Sequence, residues 1–338
     1  MDMSTYNVYS WTDLSGMRSD LTGDYILYAD LSSADSDYIG IGDSWENHFP
    51  GTGTTKKGLD FNGSFDGNGH TISDLVAVNT SAYYVGLIGY FSGSFVKDIV
   101  LINAEISGLS QCGLVGSHRG TGYITCCAVV GGSVTCDSSR AGGIVGWQGA
   151  GYGNLRYCYN DGCTVSVNLS SAIGEAGGII GQCRTDCQMC WSNGSVSAHV
   201  FAGGVVGRDY NSLGVGEDCF WDTTTSGNAT SDGGTGKTTS EMKDIDTYTD
   251  ISIVGLDSAW DLVAEVDYVN EIWFIDNSVD YPRLGFERIA SGDTSSLSSL
   301  SSSSQSSVSS LSSLSSQSSS SVSSVSSQSS ASSLSSQS

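Results

Sequence analysis

The sequence predicts an all-β chain wound as a right-handed parallel β-helix, capped at both ends and followed by a disordered serine-rich tail. Three observations carry that prediction. The first is a phrase of two aliphatic residues between two glycines that occurs five times: Gly86-Leu87-Ile88-Gly89, Gly113-Leu114-Val115-Gly116, Gly143-Ile144-Val145-Gly146, Gly178-Ile179-Ile180-Gly181 and Gly204-Val205-Val206-Gly207. Its copies recur at intervals of about 26 to 35 residues, the range of a solenoid array rather than of one globular core. The second is composition: 44 of 338 residues are glycine and only 2 are proline, a load that disfavours long helices. The third is the length of the apolar runs, which make strands of only about 15 to 20 Å. Strands that short bury a core by stacking, coil upon coil.

Residues 1–80 read as an N-terminal cap and the first coils. Trp11, Leu14, Met17 and Leu21 recur at helical spacing and predict a short amphipathic helix. Gly23-Asp24 ends it, and Tyr25-Ile26-Leu27-Tyr28 follows as a strand. Residues 61–72 place two aromatics and an isoleucine between turn formers, which predicts two short strands with tight corners.

Residues 81–220 hold the repeat coils. Behind each glycine phrase come further apolar runs, as in residues 124–128 leading to Gly131 and Val134, so three short strands per coil are expected. Within each phrase one aliphatic residue is expected to point inward and the other outward, because side chains alternate along a strand. The ten flanking glycines (Gly86, Gly89, Gly113, Gly116, Gly143, Gly146, Gly178, Gly181, Gly204 and Gly207) are expected at corners, where φ > 0 or close backbone approach is needed.

Residues 221–290 read as a closing segment, with a short helix capped by Ser240 and with Trp260, Trp273, Phe274 and Tyr281 covering the last coil. Residues 291–338 are a serine-rich stretch that buries too little surface to offset ordering entropy, hence a disordered stalk or linker.

The five phrases resemble the GLUG repeats of bacterial and archaeal cell-surface proteins. The stretch Phe65-Asp66-Gly67-Asn68-Gly69-His70-Thr71-Ile72 resembles the segment that precedes such repeats, and Cys219-Phe220-Trp221-Asp222-Thr223 with the later Tyr281-Pro282-Arg283-Leu284 resembles their closing part. The resemblance covers roughly Tyr6 to Phe286. It implies a β-helical, surface-exposed, adhesin-like protein and no catalytic residue. Such repeats also accompany the protease part of some immunoglobulin-cleaving metalloproteases; here His48, His70, His118 and His199 never form His-Glu-x-x-His.

Lys+Arg number 13 against 36 Asp+Glu, a net charge of −23, which argues against nucleic acid and anionic lipid as partners. No apolar run is long enough for membrane insertion, and Met1 to Trp11 do not read as a secretory signal. An extracellular or cell-surface setting therefore implies a fragment of something longer, or arrival by assembly, lysis or a leaderless route. Cys127, Cys158, Cys190 and Cys219 recur once per coil and are expected to stack as an interior column of small apolar thiols. Cys183, Cys187 and Cys190 lack the paired spacing of a zinc site, and a Cys183 to Cys187 disulfide stays open. Asp30, Asp35, Asp37, Asp43 and Glu46 read as a solvated acidic loop, and Ser231 stands where a phosphate-binding loop needs its leading glycine. Neither a metal nor a cofactor is expected.

The expected function is a surface adhesion or structural module that presents a rigid face to a glycan or a host or cell-surface protein. Tyr83, Tyr84, Tyr152, Tyr157 and Tyr159 are the candidate binding residues. Two alternatives stand beside it. A polysaccharide lyase or hydrolase would draw on Asp161, Asp186, Asp209, Arg156, Arg184 and Arg208, converging on one cleft. A virion or fibre component would use the coil as a receptor-binding rod and form a homo-oligomer.

Overall fold

The computed structural model describes residues 4–32, 60–149, 153–168, 173–211, 215–263 and 271–290. The serine-rich tail, Tyr152 and the acidic residues Asp35, Asp37, Asp43 and Glu46 lie outside the described residues. The chain winds as a parallel β-helix in which one twelve-stranded sheet and three five-stranded sheets run the length of the stack. One coil passes through Tyr123–Val130 in the wide sheet, Ser133–Cys136 in the second, Arg140–Gly142 in the third and Val145–Gln148 in the fourth. Each coil thus crosses four sheets where three strands were expected, because the glycine phrase turns a corner between two of them. Gln111–Cys112 ends the third-sheet strand, Gly113-Leu114 turns the corner, and Val115 opens the fourth.

That division corrects the expected in-and-out alternation. Leu87 and Ile88, Leu114 and Val115, Ile144 and Val145, Ile179 and Ile180, and Val205 and Val206 all lie in one buried core. Alternation holds within a strand, and this pair straddles a corner. Burying both members is worth about 1.5 to 3 kcal/mol each.

None of the ten phrase glycines has a positive φ. Close approach accounts for nine of them, all but Gly89: a Cβ on Gly86 would stand 2.2 Å from the Gly113 carbonyl oxygen, and one on Gly143 2.4 Å from that of Gly178. Left-handed backbone occurs elsewhere, and two columns hold most of its non-glycine residues. Asp74, Asn103, Gly131 and Gly162 make the corner between the wide and second sheets. Asp98, Cys126, Tyr157, Met189 and Asp218, with φ between 51° and 56°, bend the wide sheet once per coil. Each such residue costs about 1–2 kcal/mol, offset by the buried residue that follows it. Those followers are Ile99, Cys127, Cys158, Cys190 and Cys219, and they include the expected thiol column: the Cys158 amide donates to Cys190 Sγ and the Cys190 amide to Cys219 Sγ, both at 3.4 Å. All ten cysteines are free thiols, so the Cys183 to Cys187 bond is not formed.

The cap helix Trp11–Gly16 buries Leu14, and its Ser10 hydroxyl accepts from the Asp13 amide. Residues 61–72 supply Ser64–Asp66 and Thr71–Ser73, which both pair with the single long strand Phe95–Ile102. The C-terminal helix is Thr239–Met242, and its cap is Thr238 rather than Ser240, because Thr238 and Glu241 form a reciprocal capping box.

The closing segment also covers more than the last coil. Tyr248, Trp260, Trp273 and Tyr281 pack on Val100, Ala128, Tyr159, Trp191 and Phe220, one outward residue from each of five rungs of the wide sheet. Buried Asp222 fixes this cover, accepting from the Thr239 hydroxyl at 2.6 Å and the Tyr281 hydroxyl at 2.7 Å.

Candidate functional site

With one side of the wide sheet covered, the outer faces of the third and fourth sheets form the most distinctive remaining surface. The outward column of the third sheet is Tyr84, Gln111, Arg140, Glu175 and Phe201. That of the fourth is Tyr90, Ser117, Trp147, Gln182 and Arg208. The second glycine of each phrase sets both the direction and the closeness of these columns. In the fourth sheet Ile88 and Phe91, three residues apart, both enter the core, so alternation breaks at Gly89 and Tyr90 turns outward. A Cβ on Gly146 would stand 2.7 Å from the Cys112 amide nitrogen, and one on Gly207 2.6 Å from the Ala176 carbonyl oxygen.

The two columns therefore meet along a crease. Tyr84 and Tyr90 pack edge to face at 5.1 Å. Fully buried Glu175 accepts from Arg140 Nε and from Arg208 Nη1, each at 2.9 Å, and from Gln182 Nε2 at 3.3 Å. Trp147 Nε1 donates to Gln182 Oε1 at 2.7 Å. An ion pair buried this deeply is costly to break one partner at a time, so it fixes the relation of the two sheets.

Above this floor, rings and guanidinium groups alternate along the coil axis. Arg119 lies 6.0 Å from the Tyr90 ring and 4.7 Å from Trp147. Arg184 lies 5.9 Å from Trp147 and 3.9 Å from Tyr210, and Arg208 lies 5.1 Å from Tyr210 and 4.8 Å from Phe201. Each contact is worth about 0.5–1 kcal/mol at an exposed site; the larger consequence is that the guanidinium planes are held in place before any ligand arrives. Among the described residues no carboxylate pairs with Arg119 or Arg184, and Arg184 Nε is buried without a hydrogen-bond partner. Arg119 and Tyr210 are exposed, so the strip offers N–H donors and ring faces together.

Of the expected binding residues, Tyr83 and Tyr84 stand at the low end of this crease, Tyr83 half-buried and Tyr84 nearly closed off. Tyr159 is fully buried beneath the closing segment, where its hydroxyl donates to Glu287 Oε2 at 2.6 Å. Burial pushes its phenol well above the ordinary range, and the residue presents nothing to a ligand. Tyr157 is half-buried against the same cluster. Tyr159 is out of reach of a ligand beneath the C-terminal cover, whose extent is not readable from coil spacing. Sequence reasoning missed Tyr90, Arg119, Trp147 and Tyr210, and named Arg184 and Arg208 only for the hydrolytic alternative, although a signal for all six existed. They stand one or three residues beyond the second glycine of their phrase.

The six residues of the hydrolytic alternative divide among three places. Arg184 and Arg208 line the crease, with Asp209 following Arg208. Asp161 pairs with Arg283 under the closing segment. Arg156 and Asp186 lie on the uncovered half of the wide sheet. They do not converge on one cleft.

No family model matches the chain. Over 152 residues, 42% of the chain, it is 32% identical to part of halomucin from Haloquadratum walsbyi, and it spans only 2% of that protein's length. A solved structure from Bacteroides ovatus, of a protein proposed to be an immunoglobulin A1 protease, is 24% identical with a TM-score of 0.49, over 66% of this chain and 65% of its own.

Proposed function

We propose that the chain is a surface-exposed adhesion or structural module that holds an extended glycan, or a segment of a cell-surface protein, along the crease. The observation that carries this reading is the alternation of rings and guanidinium groups from Tyr90 to Phe201. It follows five rungs of the coil, a span of about 20 Å, which suits a ligand lying lengthwise. Ring faces accept the C–H faces of sugars, while stacked guanidinium edges donate to hydroxyl or carboxyl oxygens. Similarity to part of halomucin supports a surface or secreted setting, as does the resemblance to GLUG repeats. Among the described residues no helix is long and apolar enough to cross a membrane.

Binding to an array of extended oligosaccharides tests the reading. Wild-type protein is expected to retain at least one class of glycan, and Arg184→Gln or Tyr210→Ala is expected to weaken that binding roughly tenfold, or about 1.4 kcal/mol, without changing the melting temperature appreciably. Retention unaffected by either change, or no retention at all, would count against it.

A further inference from the structure

A second site lies on the half of the wide sheet that the closing segment leaves open. Its outward column begins with Phe95 and Tyr123, whose rings stack at 5.6 Å and 22°. The next rung is Asn154, since Ile124 pairs with Leu155. Where a third ring would continue the stack there is a short amide instead, and the space left is a recess of about 290 Å³ lined by Tyr123, Ile124, Thr125, Asn154 and Arg156. One face of Tyr123 is held by Phe95, and the ring remains 45% exposed.

The polar groups around that ring are of both kinds. Asn154 supplies an amide donor and acceptor, Thr125 a hydroxyl, and Arg156 donors only. Arg156 Nε is buried and has no hydrogen-bond partner among the described residues. Asp186 precedes Cys187, which pairs with Leu155, so it stands one rung beyond Asn154. Its Oδ1 is likewise buried without a partner. Burial and the neighbouring Glu217 charge hold the Asp186 carboxyl above the usual range, while hydrogen bonds from the Gly216 backbone and the Gln188 side chain, and the Arg156 charge, act in the opposite direction. A buried donor left unmatched costs about 1–3 kcal/mol, and a ligand that presents an acceptor to Arg156 would relieve it.

We propose that this recess is a carbohydrate-binding site, separate from the crease, that takes a single neutral pyranose residue in the place of the missing third ring. The sugar's C–H face lies on Tyr123, and adjacent hydroxyls bridge the donors of Arg156 to the oxygens of Thr125 and Asn154. Arg156 is the charged residue of the lining, and the Asp186 and Glu217 carboxylates beyond it offset that charge, so the recess holds no uncompensated charge for an ionic ligand. A vicinal diol satisfies both sides without placing a net charge between them. The site does not depend on what occupies the crease.

Calorimetric titration of the whole 338-residue chain with the methyl glycosides of glucose, galactose, mannose and N-acetylglucosamine, and with methyl glucuronide as the charged probe, tests it. At least one neutral glycoside is expected to bind saturably and more tightly than the glucuronide. Tyr123→Ala and Asn154→Ala are expected to weaken that binding by about tenfold or more; Ser197→Ala, on the second sheet, leaves it unchanged. Asn154 is exposed, so its variant keeps the test open if loss of the Tyr123 ring unfolds the coil. The assignment is overturned if no neutral glycoside binds saturably, if the glucuronide binds as tightly, or if binding survives Asn154→Ala undiminished.

Discussion

Replacing Gly178 by alanine is expected to destabilise the coil by about 3 kcal/mol or more, among the larger effects of adding one methyl group. The added Cβ would stand 2.2 Å from the Gly204 carbonyl oxygen and 2.2 Å from Ser192 Oγ. Ser192 is itself fully buried, and the Gly204 oxygen belongs to the next rung, so neither can retreat without disturbing the stack. Gly162 gives the contrast. Its φ is +71°, but no atom lies within 4 Å of the position its Cβ would take, so Gly162→Ala should lose only the left-handed backbone penalty of about 1–2 kcal/mol. Urea denaturation of both variants checks the order. A Gly178→Ala loss no greater than that of Gly162→Ala would mean that the phrase glycines are not held by close approach.

The second large effect is a loss of stability in mild acid, centred on His118. The imidazole is fully buried and stacks on Phe91 at 5.2 Å in the inward column of the fourth sheet. Burial lowers its pKa from 6.5 to about 4, with only the Gly122 backbone favouring the charged form. Between those two values the unfolded chain binds a proton that the folded chain does not, so stability rises with pH across the window and is lost as pH falls from 6.5 towards 4. The full loss is about 3 kcal/mol at 1.36 kcal/mol per unit. Melting curves from pH 7 to 4 should fall steeply for the wild type and much less for His118→Leu, whatever the offset between them at neutral pH. Parallel curves would remove His118 as the cause.

The sequence carried the architecture because the glycine phrase reports a repeated steric demand. Every coil passes a backbone-to-backbone contact there, and only glycine fits. The thiol column was legible for the same reason, since Cys127, Cys158, Cys190 and Cys219 occupy one interior position on successive rungs. The fourth strand of each coil was hidden because a two-residue strand such as Gln111–Cys112 leaves no periodic signal. The bend of the wide sheet was hidden for a different reason: Asp98, Cys126, Tyr157, Met189 and Asp218 share a conformation and no chemistry.

The candidate site was legible only in part. Tyr83 and Tyr84 marked its lower end, but counting tyrosines weighted Tyr159 equally, and a long-range cover 124 residues away in sequence buries that residue through contacts such as Arg283 Nη1 to its hydroxyl. The crease itself depends on the break of alternation at the second glycine. Once that is known, the residues after each phrase become readable as an outward column.

The measurement that bears most directly on the crease as the ligand-binding face is hydrogen exchange with and without the tightest glycan from the array. The account expects added protection confined to the amides around Ser117 to Arg119, Trp147 and Gln148, Gln182 to Arg184 and Arg208 to Tyr210. Protection concentrated instead on the second sheet or the closing segment, with these amides unchanged, would contradict it.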